Sequence, residues 1–67
     1  MSFLFIGQNV RLPNWTDCTL EIVDIGEYHL IGNIYDTKLK KMVQTLAVYP
    51  LDGDWEVVDV PNKNIES

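Results

Sequence analysis

The reading of residues 18 to 35 decides the fold: Cys18-Thr19-Leu20-Glu21-Ile22-Val23-Asp24-Ile25-Gly26-Glu27-Tyr28-His29-Leu30-Ile31-Gly32-Asn33-Ile34-Tyr35. Apolar and polar residues alternate on both sides of Gly26-Glu27, and Ile, Val, Tyr and Thr are the types that suit a pleated, half-buried surface. A glycine at position 26 can take the positive φ that tight hairpin turns require, so Cys18 to Ile25 and Tyr28 to Tyr35 are expected to pair antiparallel. In the simplest register, with Gly26-Glu27 as the turn, His29 faces Asp24. Two irregularities are written into this hairpin. The adjacent pair Ile22-Val23 shifts the alternation and predicts either a bulge or burial on both faces. Gly32 interrupts the returning run, as expected at a bulge, at a corner in a curling sheet, or where another backbone comes close.

Similar runs lie on either side. Upstream, the stretch from Phe3 to Leu12 is broken at Gly7-Gln8-Asn9, and Val10-Arg11-Leu12 alternates before Pro13-Asn14 ends the ladder; a loop then carries Trp15, Thr16 and Asp17. Downstream, the polar, basic connection Asp36-Thr37-Lys38-Leu39-Lys40-Lys41 leads into Met42 to Tyr49, which is largely apolar on both faces. Such a strand belongs in the closed part of a small barrel or against a partner. Pro50-Leu51-Asp52-Gly53-Asp54 is the clearest turn, and Trp55 to Val60 forms a fifth run. Pro61-Asn62-Lys63-Asn64 is expected to close it with one turn of 3₁₀ helix, and Ile65 to tuck back onto the core. No window of ten or more residues carries a helical period between caps.

The expected fold is therefore all-β: one domain over residues 1 to 67, a five-stranded antiparallel meander curled into an SH3-like barrel, with an OB-like barrel as the alternative. The SH3-like form is favoured because the OB arrangement usually inserts a helix that this chain cannot spare.

Composition agrees with a small folded domain. The chain has 67 residues, 46% of them hydrophobic and 22% charged, which is too apolar for a disordered acidic tail. A domain of this size buries only about 60% of its unfolded surface, so its stability is marginal. Cys18 is the single cysteine, so no intrachain disulfide is available and a reducing cytoplasm is the expected compartment. The apolar opening Phe3-Leu4-Phe5-Ile6 is too short for a signal peptide, and no later segment has the length of a membrane span.

Chemistry-bearing sets are sparse. Cys18 and His29 are the only Cys and His, two of the four ligands a structural zinc normally takes. In the expected register they do not oppose one another, so no nucleophile–base dyad forms. Asp52, Asp54 and Glu56 alternate like calcium ligands, but the run stops before a closing bidentate Glu. The glycines stand alone, without the spacing of a phosphate cradle. No catalytic residue, cofactor or metal site is expected, and the chain is not read as an enzyme.

The residues that point to a partner are aromatic and charged. Trp15 and Trp55 lie at the ends of elements, where a rigid ring serves as a lid on an open core or as an anchor for another molecule; Tyr35 and Tyr49 divide between packing and display. Ten acids against five bases give a net charge of −5. The charge is segregated: residues 1 to 33 carry −3, residues 34 to 50 carry +2 through Lys38, Lys40 and Lys41, and residues 51 to 67 carry −4, including Asp52 and Asp54. Such a dipolar surface steers oriented docking.

The expected function is a non-catalytic protein-interaction module that docks on a larger protein or on itself. The partner-binding candidates are Trp15, Tyr35, Lys38, Lys40, Lys41, Tyr49, Asp52, Asp54 and Trp55. The alternative is nucleic-acid handling, by binding through the Lys38 to Lys41 loop or by acidic mimicry of DNA, and the net charge disfavours it. Small size suits an accessory protein of a phage or mobile element.

One resemblance bears on the fold. Val60-Pro61-Asn62-Lys63-Asn64-Ile65-Glu66 resembles the Pro-Ser-Asn-Tyr-Val close of SH3 domains, and Asp52-Gly53-Asp54-Trp55 resembles the acidic turn before their binding-groove tryptophan. It implies an SH3-like barrel and is not extended to polyproline binding.

Overall fold

The structure is a computed structural model that describes residues 4–58. Five strands follow in chain order: β1 (Asn9–Arg11), β2 (Cys18–Ile25), β3 (His29–Asp36), β4 (Lys41–Pro50) and β5 (Glu56–Val57). They form one sheet in the order β4-β3-β2-β1-β5, and every pairing is antiparallel. β1 is shorter than the run that began at Phe3. Gly7 turns the chain at φ +94°, a conformation suited to glycine, and its N–H reaches the Ile22 carbonyl at 2.7 Å. β5 pairs with β1 for two residues, and Val58 N–H extends the contact to the Asn9 carbonyl at 2.8 Å. The remainder of the fifth run, the expected 3₁₀ turn and Ile65 lie outside the described residues.

The β2–β3 hairpin forms with a different frame. Gly26 joins the ladder, donating its N–H to the His29 carbonyl at 2.7 Å, so the turn sits on Glu27-Tyr28 instead of Gly26-Glu27. Gly26 takes no positive φ. Ile25 therefore faces Leu30 and Asp24 faces Ile31, while His29 pairs with Pro50 of β4 and not with Asp24. The expected irregularity is present as a register shift between Ile22 and Asp24; beyond it Ile22 faces Gly32 and Cys18 faces Asp36. This bulge explains how Ile22 and Val23 coexist in one strand: Ile22 is fully buried and Val23 only half-buried.

Strand alternation builds the core on one face. Val10, Leu20, Ile22 and Leu30 are fully buried, joined by Ile34 and Ala47. Val10 faces Leu20, and Leu20 faces Ile34, so β1, β2 and β3 stack their core residues side by side. Leu4, Trp15, Cys18, Ile25, Tyr49, Leu51 and Trp55 pack around this cluster, half-buried.

The other end of the sheet departs from expectation. β4 is an edge strand, and of its ten residues only Ala47 is buried. No pairing joins β4 to β5 among the described residues, so the sheet is open and closure into a barrel of either type is not part of the observed architecture. Among the described residues, six buried hydrophobic side chains cover one face of the sheet, and none packs over the other face of β4. Two register shifts also lie along β4, one between the Gly32 and Ile34 pairings and one between those of Ile34 and Tyr35. At the first, Leu46 adopts φ +55°, and its N–H is held by Asn33 Oδ1 at 3.0 Å.

The β3–β4 connection is built by Asp36. Its Oδ1 accepts the N–H groups of Lys38 at 2.9 Å and Leu39 at 2.8 Å, and its carbonyl accepts that of Lys40 at 2.7 Å. Lys40 closes this turn at φ +60°, a left-handed conformation that costs an L-residue about 1–2 kcal/mol. Lys40→Gly should therefore raise stability by about 1 kcal/mol, after allowance for the greater freedom of glycine in the unfolded chain. That gain corresponds to a rise of roughly 4–8 °C in the midpoint of a thermal melt followed by circular dichroism. An unchanged or lowered midpoint would show that the turn is unstrained.

Candidate interaction surface

Three of the aromatic candidates meet. Trp15 from the β1–β2 loop, Tyr49 from the end of β4 and Trp55 from the turn before β5 stack edge to face. Their ring centroids lie 5.3 Å (Trp15 to Tyr49), 5.8 Å (Trp15 to Trp55) and 5.9 Å (Tyr49 to Trp55) apart. Each such pair adds about 0.5–1.5 kcal/mol beyond the area it buries. Local bonds fix the two tryptophans. Trp15 N–H donates to the Leu12 carbonyl at 3.0 Å, and the Trp55 indole Nε1–H donates to the Pro50 carbonyl at 3.0 Å. The Pro50-to-Asp54 turn supplies that second contact, with Gly53 N–H reaching the same carbonyl at 3.4 Å. All three rings are half-buried against the core, so the cluster roofs one end of it.

The charged candidates flank β4. Lys38 and Lys40 in the connecting turn and Lys41 at the first position of β4 are exposed; Asp52 and Asp54 lie exposed beyond its last residue. Between these groups, residues 42 to 51 contain no Asp, Glu, Lys, Arg or His.

Tyr35 lies away from the aromatic cluster, on the outer face. Leu30, Gly32 and Ile34 point into the core, so His29, Ile31, Asn33 and Tyr35 point outward. Opposite them on β4, Tyr35 faces Met42 and Ile31 faces Val48. Leu46 is 65% exposed, Val48 60%, Val43 49% and Met42 47%. The result is a group of exposed apolar side chains along an open sheet edge. Sequence reasoning marked this run as two-faced but named only Tyr49 from it as a candidate. Tyr49 turns to the core, and the residues left over are the exposed ones.

The remaining chemistry-bearing residues are dispersed. Cys18 is half-buried at one end of β2, opposite Asp36, while His29 is exposed at the far end of β3. Seven residues of strand, roughly 23 Å, separate the two positions. Arg11 bonds Glu56 across β1 and β5 at 3.1 Å, an exposed pair worth little. Among the described residues no group of three or more His, Cys, Asp and Glu gathers as a metal site would require, and no helix is long and apolar enough to cross a membrane. No family model matches the chain, and it has no match among curated proteins or solved structures.

Proposed function

We propose that the chain is a non-catalytic protein-interaction module whose docking surface is β4 and the outer face beside it. One observation carries this reading: an edge strand of ten residues leaves Met42, Val43, Leu46 and Val48 in solvent. Apolar area on an edge that also presents backbone donors and acceptors is a liability unless another chain covers it. The finer fold assignment belongs to the same proposal. With no helix among the described residues, and β1 lying between β2 and β5, the curl is better read as SH3-like than OB-like.

The test is capture of partners on immobilised protein, comparing wild type with Val48→Lys and with Tyr28→Lys as a control. Tyr28 is 73% exposed and belongs to the β2–β3 turn; its backbone carbonyl accepts the Leu51 N–H at 2.9 Å just past β4, a bond that replacing the side chain leaves in place. Both replacements touch the surface and should move stability by no more than about 0.5 kcal/mol. Val48→Lys is expected to lose whatever wild type retains, and Tyr28→Lys to keep it. Equal retention by all three would overturn the reading.

A further inference from the structure

We infer that β4 pairs with β4 of a second copy of this chain, antiparallel about a two-fold axis near Thr45-Leu46. Lys38, Lys40 and Lys41 of each copy then lie beside Asp52 and Asp54 of the other. This rests on the interaction-module reading and names its occupant.

The argument is charge complementarity along an open edge. The segment is basic at its start, uncharged from residue 42 to residue 51, and acidic at its end. Two copies laid antiparallel set base against acid at both ends, so the pattern is complementary to itself under two-fold symmetry. A parallel alignment sets base beside base and acid beside acid. Between the charged ends, the apolar residues Met42, Leu46 and Val48 meet their own image, and side chains 47–65% exposed in the single chain become covered. The register shifts near the middle of β4 interrupt the ladder at the axis itself, where Leu46 of both copies fills the space; backbone pairing then lies on either side.

The assembly also closes. A two-fold contact uses the same edge of both copies, so pairing consumes β4 in each and leaves no β4 edge from which a filament could grow. Two copies are therefore expected, and no filament.

Sedimentation equilibrium of the full chain, from about 1 to 100 µM, tests this at low and high salt. Wild type is expected to dimerise, with a dissociation constant about tenfold weaker at high salt. Lys38→Glu with Lys41→Glu, and Asp52→Lys with Asp54→Lys, should each dimerise about tenfold less well alone, and mixing the two should restore association as a heterodimer. Circular dichroism confirms that each remains folded. Wild type that stays monomeric throughout, or a mixture that associates no better than its components, overturns the inference. If wild type is monomeric and Val48→Lys still abolishes partner capture, the second copy is wrong and the interaction module stands. If Val48→Lys also changes nothing, both fall.

Discussion

Gly32→Ala removes most of the chain's folding stability. Gly32 is buried in β3 opposite Ile22, where a Cβ would meet Leu20 Cδ2 and come within 2.6 Å of both Leu20 Cγ and the Glu21 carbonyl oxygen. The carbonyl belongs to the backbone of the adjacent strand and cannot swing aside. Leu20 is fully buried and has no empty rotamer to enter. Overpacking costs about 1–3 kcal/mol and occasionally more, and a clash with backbone belongs at the upper end of that range. A core of this size, without disulfide or metal, rarely supplies more than about 3–5 kcal/mol in total. Far-UV circular dichroism and a urea titration read the outcome: the variant should show little or no cooperative transition. A melt within about 1 kcal/mol of wild type would show that β2 and β3 can separate locally without loss of the fold.

Leu20→Ala has an effect of similar size through the opposite fault. Leu20 stands at the centre of the core, fully buried and facing Val10 on β1 and Ile34 on β3. Its truncation removes apolar burial and leaves a void that a β-sheet cannot collapse around, costing about 2–5 kcal/mol. Leu20→Met keeps the volume and should cost less than about 1.5 kcal/mol, which separates packing from any effect on strand pairing. The two positions are coupled. Removing the Leu20 side chain clears two of the three close contacts of the new Cβ at position 32, so Leu20→Ala combined with Gly32→Ala should be less destabilising than the sum of the single changes. A strictly additive double variant would place the strain of Gly32→Ala on the Glu21 carbonyl alone.

Gly32 was legible as a bulge, a corner or a close backbone approach, and the nearness of Leu20 and the Glu21 carbonyl on β2 decides for the last. At Ile22-Val23 the broken alternation allowed a bulge or burial on both faces, and the register shift between Ile22 and Asp24 decides for the bulge. The hairpin frame was not legible. Gly26 can either bend the chain or extend the ladder, and its bond to the His29 carbonyl decides for the ladder, moving the turn by one residue and His29 away from Asp24. The candidate surface was read only in outline. Trp15 and Trp55 read as rings at the ends of elements and Tyr49 as divided between packing and display, and their mutual packing depends on a loop, a strand end and a turn arriving at one corner. Met42, Val43, Leu46 and Val48 read as part of a two-faced strand that belongs inside a closed barrel or against a partner, and in the single chain they stand in solvent.

What residues 4 to 58 determine by themselves is thus a set of strands, turns and faces, because alternation and turn chemistry act between residues close along the chain. Which strand ends the sheet is decided only in three dimensions. A period of two assigns a side chain to a face and says nothing about what covers that face. The cover depends on how much core the whole domain can assemble. Here the core is filled from one side by Val10, Leu20, Ile22, Leu30, Ile34 and Ala47, and β4 is left at the edge with its apolar residues turned outward.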